Sequence, residues 1–292
     1  MKLLLQFVIL FAFLLSNAQV DDEPIYMDQK PPSLVPKVFA PNLISTSNEY
    51  EFGSVFNKKV TEFYYGVSVK GKGEIRYSQL VGDSWSPPKT LFVHENYGYN
   101  DPFLSPDENR LYFISTQPIN GKGDPKDYDI WYAEREGNGW TQPINAGPNI
   151  NTEWDEYYSS FTSEGTLYFS SNKNDNNFDI YSAEFNAGSF QKTQRLGAAV
   201  NTANYEADVF IAPDASYIIF CATRPDGLGQ GDLYISFKKD DGSWTASKNM
   251  GNVINTQGHE LCPFVSHDGQ YFFYTSNQDI YWVSTKIFES YR

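Results

Sequence analysis

The stretch "DIWYAEREGNGWTQPINAGPNINTEWDE", residues 129–156, returns fifty residues later as "DIYSAEFNAGSFQKTQRLGAAVNTANYE". Laid over itself, the chain holds five copies of a unit with four segments. The first ends in a turn acid, as in "DPFLSPDEN", "YYSSFTSEG", "ADVFIAPDAS" and "LCPFVSHDG". The second is an apolar run, as in "RLYFIST" and "YIIFCAT". The third opens on an acid at Glu74, Asp129, Asp179, Asp232 and Asp279, with steps of 55, 50, 53 and 47 residues. The fourth carries an aromatic at Trp85, Trp140, Phe190 and Trp244, with steps of 55, 50 and 54. A steady period with four strand-like segments predicts an all-β chain, a β-propeller. A lone four-stranded sheet leaves a face uncovered, and radial stacking gives each sheet a neighbour on either side. The 21 Tyr and 22 Phe beside 21 Gly and 16 Pro agree, because aromatics favour strands and Gly and Pro favour turns.

The chain ends set the blade count. The last repeat stops after its third segment, "DIYWVST". Near the other end, "KVFAPNLIST" resembles the close of a fourth segment, such as "PINAGPNINT". It is therefore expected to supply the missing outer strand of the last blade and to remove an exposed sheet edge. The expectation is five four-stranded blades over residues 37–285, with six blades as the alternative. An extended linker is expected at 19–36 and a tail at 286–292.

The runs "SPDENRLYFIST…YDIWYAE" and "APDASYIIFCATRPDGLGQGDLYIS" resemble the WD-like propeller repeat of TolB-type exported bacterial proteins. The resemblance covers about residues 37 to 285. It implies a periplasmic or secreted propeller, often a protein-binding scaffold, and no catalytic motif. The chain is expected to depart from the TolB pattern by lacking a separate N-terminal α/β domain.

"MKLLLQFVILFAFLLSNAQV" opens with Lys2 and an apolar run, and places small residues at Ser16 and Ala18. That is the pattern of a secretory signal peptide over residues 1–18. The expected product is exported, periplasmic or secreted, monomeric, and not inserted in a membrane after cleavage. A formal net charge of −14 with no Lys/Arg cluster excludes nucleic acid as a partner. Cys221 and Cys262 are read as two small buried thiols.

One recurring set invites a functional reading. Glu51, Tyr99, Glu156, Glu206 and Glu260 stand where each fourth strand hands over to the next innermost strand. At the channel rim they would form an acidic ring, flanked by Tyr50, Tyr97, Trp154, Tyr205 and His259. Carboxylates beside exposed aromatics suit sugars or cationic groups. The competing reading is that these Glu side chains accept backbone N–H bonds and brace the blade junctions. The expected binding residues are Glu51, Tyr99, Trp154, Glu156, Tyr205, Glu206, His259 and Glu260. The three His lie scattered, with no triad or metal spacing, so no catalytic residue, metal site or cofactor is expected. "NKNDNNFD", residues 172–179, lacks the Gly and bidentate Glu of a calcium loop and reads as a polar turn. The function expected is a non-enzymatic binding or scaffold module for a protein or glycan of the cell envelope. The alternative is a glycoside hydrolase or lyase using rim carboxylates.

Overall fold

A computed structural model describes residues 26–174 and 177–292. The expected signal peptide lies outside the described residues. Five antiparallel sheets make a five-bladed propeller. Blade 1 runs inward to outward as Tyr50–Phe56, Glu62–Val69, Lys72–Val81 and Lys89–Phe92, and blade 2 as Tyr99–Leu104, Arg110–Ser115, Asp129–Glu136 and Ile144–Asn145. Blade 3 comprises Glu156–Phe161, Leu167–Asn174, Asn177–Ala183 and Gln194–Arg195. Blade 4 comprises Tyr205–Ile211, Tyr217–Thr223, Asp232–Phe237 and Lys248–Asn249.

Blade 5 is the composite one. Its three inner strands, Leu261–Val265, Tyr271–Ser276 and Asp279–Ser284, come from the end of the chain. Its outer strand is Lys37–Val38, which pairs antiparallel with Lys37 opposite Trp282 and Val38 opposite Tyr281. The closure expected from "KVFAPNLIST" is therefore present. Phe39 seals it: its buried ring lies 5.2–5.8 Å from Phe56, Phe63, Phe273 and Trp282, joining blade 5 to blade 1.

Two segments differ from expectation. The stretch read as a linker is anchored at Tyr26, which is buried against Phe56 and Tyr271 with its hydroxyl donating to Asp268 at 3.0 Å, while Leu34 and Val35 further along it are exposed. The stretch read as a tail is a 3-10 turn, Thr285–Tyr291, that buries Ile287 and Phe288. Tyr26 covers apolar surface at the blade 5–blade 1 seam, and Phe288 covers it between blades 4 and 5, against Tyr217 and Phe272. Cys221 and Cys262 are free and buried.

The turn acids act as turn devices. Asp107 and Asp268 accept from the backbone N–H two residues on and from the Ser two residues back, and Asp214 accepts from the N–H of Ser216.

Closure has a measurable cost when broken. Phe39→Ala leaves a cavity among four rings and is expected to destabilise by about 3–5 kcal/mol. Deleting residues 37–46 is expected to lower the melting temperature further, since it also removes the outer strand of blade 5. A deletion variant melting with the parent would overturn the closure.

Candidate functional site

The recurring Glu set is not on the rim. Glu51, Glu156, Glu206 and Glu260 are all fully buried at blade junctions. Each clasps the Thr that closes the preceding outer strand. Thr152, Thr202 and Thr256 donate their backbone N–H at 2.9 Å to one carboxylate oxygen, and their hydroxyls at 2.6–2.7 Å to the other. Thr46 donates both to Glu51 Oε1, at 3.2 and 2.9 Å. The residue before each Thr completes the latch. Asn151, Asn201 and Asn255 hold both the N–H and the carbonyl of Ile130, Ile180 and Leu233 on the third strand, and Ser45 does so for Ile280. The Glu residues brace the fold, and the expected ring of rim carboxylates is corrected on that ground. Burial sets the price of the charge: Glu51 is held above the carboxylate range and Glu156 is pushed up to about 7, against the hydrogen bonds they accept. Glu206 also meets Arg224 at 2.9 Å.

The other expected residues divide. Tyr99 is buried, and its hydroxyl donates to Gln117. Trp154 is exposed. Tyr205 and His259 do line the channel mouth, in a cavity of about 280 Å³ whose walls also include Tyr50, Tyr128, Tyr157 and Leu261. Its acidic residues are Asp101 and Asp208, which the repeat reading passed over.

These two sit on a regular structural feature. Every innermost strand carries a bulge, and its bulged residue takes a left-handed backbone: Gly53, Asp101, Tyr158, Asp208 and Cys262, with φ of 48–53°. The bulges aim these residues at the axis. The Cys262 thiol of blade 5 lies 3.6 Å from Asp101 Oδ1 of blade 2 and 4.0 Å from Asp208 Oδ2 of blade 4. Asp208 accepts the Cys262 N–H at 3.4 Å, and the Tyr158 hydroxyl of blade 3 donates to the Pro263 carbonyl at 2.9 Å. Gly53 is required: a Cβ there would lie 2.8 Å from Asp101 Oδ1.

Below this level the axis is shut. The rings of Phe103, Phe210 and Phe264, from blades 2, 4 and 5, lie 6.0–6.4 Å apart, with Phe161 of blade 3 at 6.2 Å from Phe103. Rings from non-adjacent blades touch across the axis, so the channel is a blind cavity open at one mouth.

Among the described residues neither Asp101 nor Asp208 has a Lys or Arg partner. Burial pushes Asp101 up to about 8, with the charge of Asp208 adding to the effect, and raises Asp208 above its ordinary value. For Asp208, nearby His259 and the Cys262 N–H pull partly back. Burial also keeps Tyr50, Tyr157 and Tyr205 as neutral phenols. The result is an aromatic-walled recess whose floor carries carboxyl groups short of counter-charge. Such a recess can bind a polar or cationic group; among the described residues no cluster of three or more His, Cys, Asp or Glu is disposed to hold a metal ion.

With that geometry in view, comparison with known proteins bears on the fold alone. No family model and no curated protein sequence matches the chain. Among solved structures, it is similar to TolB from Acinetobacter baumannii, at a TM-score of 0.52 and 14% identity, covering 83% of this chain and 56% of that one. The chain thus spans little more than half the length of that protein. It is equally similar to a protein of unknown function from Dyadobacter fermentans, at a TM-score of 0.52 and 14% identity over 87% of this chain and 83% of the other. A TolB from Agrobacterium tumefaciens matches at a TM-score of 0.49 and 16% identity, over 78% and 70% of the two chains.

Two outcomes follow from the latch and the floor. Glu156→Gln is expected to cost about 1–3 kcal/mol, through loss of charge-assisted bonds. Glu206→Gln is expected to cost more, about 3–5 kcal/mol, because Arg224 is left buried without its partner. A Glu156→Gln variant melting with the parent would count against the latch, and equal melting temperatures for the two variants would count against the added role of Arg224. For the floor, the sign follows from linkage. The folded carboxyls bind protons more tightly than the unfolded ones, so their contribution is present at low pH and lost as pH rises through the raised folded values. The double variant Asp101→Asn, Asp208→Asn cannot ionise there, and Asn tolerates the left-handed backbone. Its melting temperature is expected to exceed the parent's increasingly from about pH 5 to about pH 9. Parallel pH profiles would place the titration elsewhere.

Proposed function

We propose that this chain is an exported, non-enzymatic binding module that receives a group of its ligand in the blind cavity at the channel mouth. The observation that carries the reading is the combination of tyrosine walls with two carboxyl groups that, among the described residues, no Lys or Arg pairs. A folded chain does not gain from burying such groups. Their presence in an open recess makes sense when a ligand supplies what the fold withholds. Ligand sites are concave, mostly apolar, and carry few polar groups that orient the guest. Propeller structures such as TolB provide an analogue of the fold, not of the site.

Export is part of the proposal and rests on the sequence pattern of residues 1–18. Among the described residues no helix is long and apolar enough to cross a membrane.

A carbohydrate-active enzyme is the second reading, favoured by the same two carboxyls beside aromatic rings. Glycoside hydrolysis divides labour between a protonated acid and an ionised partner. Here burial raises both Asp101 and Asp208, and only Asp208 is pulled partly back, by His259 and the Cys262 N–H. Binding stays the first reading because the recess, about 280 Å³ and closed below by the phenylalanine rings, has little room for a sugar flanked by both groups.

The test pairs a glycan array with capture from envelope extract, using the parent, Tyr157→Ala and Lys192→Ala. Tyr157 lines the mouth; Lys192 lines a separate polar cavity at the junction of blades 3 and 4. A ligand retained by the parent and by Lys192→Ala but lost with Tyr157→Ala is the expected result. Loss with Lys192→Ala instead would move the site to the other cavity. Hydrolysis of a glycan by the parent, abolished by Asp101→Asn, would replace the binding reading with the enzymatic one.

A further inference from the structure

We infer that the group received at the mouth is a Lys or Arg side chain, presented on a protruding segment of a partner protein, with its charge set against Asp101 and Asp208 and its stem between the tyrosines. This rests on the reading that the mouth is the binding site, and adds the chemistry of the guest.

Three features of the mouth select this occupant. The first is charge. The recess is lined by Asp101 and Asp208, with His259 at its side, and by no Lys or Arg. A guest cation therefore meets two carboxyls that the chain leaves without a counter-ion. The second is the wall. Tyr50, Tyr128, Tyr157 and Tyr205 come from separate blades or loops and converge on one recess. Aromatic faces attract ammonium and guanidinium groups, and guanidinium also stacks on them while offering a fork of donors to carboxylates. The third is size. About 280 Å³, closed below by the phenylalanine plug, is smaller than the recess a drug-sized ligand or an oligosaccharide fills. One side chain enters and stops.

The surrounding face favours a protein over a free small cation. Each innermost strand begins at the mouth, so the loops from second to third strand and from fourth to first strand lie on the mouth face. These loops carry Ile119, Leu228 and Trp154, which are 71%, 47% and 40% exposed. Large apolar side chains spread around a polar recess give a partner surface an apolar rim to press on. The Gly-rich stretch at residues 227–231 belongs to this face. It packs on the turn that leads into blade 5, with Gln230 N–H donating to the Gly258 carbonyl at 2.7 Å.

A cation on the floor favours the ionised carboxyls, so binding should strengthen as they lose protons. The other titratable groups facing the pair are His259, Cys262, Cys221, Tyr50, Tyr128, Tyr157, Tyr158 and Tyr205. Burial keeps both thiols and the tyrosines Tyr50, Tyr128, Tyr157, Tyr158 and Tyr205 protonated, so the pH response of binding is assigned to the two Asp.

The experiment is calorimetric titration of the purified protein with acetylated Gly-Gly-Xaa-Gly-Gly amides, where Xaa is Arg, Lys, norleucine or Glu, and with chitotetraose as the glycan arm. The Arg or Lys peptide is expected to bind at least about tenfold more tightly than the norleucine peptide. That binding should disappear in the double variant Asp101→Asn, Asp208→Asn and weaken from about pH 8 to about pH 5. Asparagine suits the left-handed backbone at both positions, and a cooperative melt verifies that the variant is folded. Norleucine binding as well as Lys, cation binding that survives the double variant, or no peptide binding up to about 10 mM each overturns the inference. Saturable chitotetraose binding that Tyr157→Ala abolishes, without peptide binding, overturns the cation and keeps the mouth as the site. Binding of any probe that Tyr157→Ala leaves intact overturns the mouth reading itself.

Discussion

Everything at the channel depends on how one blade hands over to the next, and that handover is a buried carboxylate. Glu51, Glu156, Glu206 and Glu260 each grip the N–H and hydroxyl of a Thr at the end of the preceding outer strand. A buried charge is tolerated only when its hydrogen bonds are complete. At Glu156, Glu206 and Glu260 both carboxylate oxygens are engaged, which fixes the entry of the next innermost strand with little slack, whereas at Glu51 both Thr46 donors meet Oε1 and Oε2 is left without a partner among the described residues. The preceding Asn, or Ser45, ties the same corner to the third strand behind it. The junction between blades 1 and 2 is the exception. Tyr99 stands where the others have Glu, and it packs against Phe92 and Phe113 instead. An aromatic contact replaces the clasp at that one corner.

Strand entries fixed this way bring five bulges to one level on the axis. The bulge column is filled by Gly53, Asp101, Tyr158, Asp208 and Cys262, five residues of four different chemistries in otherwise equivalent places. Left-handed backbone is readily adopted by Gly and tolerated by Asp, but is strained for Tyr and Cys. The surrounding sheets hold it there, with Tyr158 tied to Pro263 and Cys262 lying between the two aspartates. The column breaks the near-symmetry of the ring. Its blade 2 and blade 4 members are acidic, and the recess above them is walled by tyrosines.

The plug of Phe103, Phe161, Phe210 and Phe264 then decides what kind of site this is. A through-channel would let water and ions reach both sides of Asp101 and Asp208. A blind recess desolvates them from below and leaves one direction of approach. That is why their carboxyls are held high, and why an incoming charge would be worth more there than on the open surface.

The sequence by itself determined the ring. A period near fifty residues with four strand-like segments leaves few folds open, and the orphan fourth segment at "KVFAPNLIST" announced the closing strand. Repetition also marked the four Glu, but it marked them as architecture: what recurs at every junction answers a need that every junction shares. Asp101 and Asp208 stand in the same repeat, six residues before Asp107 and Asp214, in a column that holds Gly53, Tyr158 and Cys262 in the other blades. A period cannot say which face of a strand meets the axis once a bulge has shifted its register by one residue. Nor can it say that side chains 161 residues apart, such as Asp101 and Cys262, will meet. Tertiary structure decided those two matters, because the bulge turns the column inward and the closed ring brings its members together.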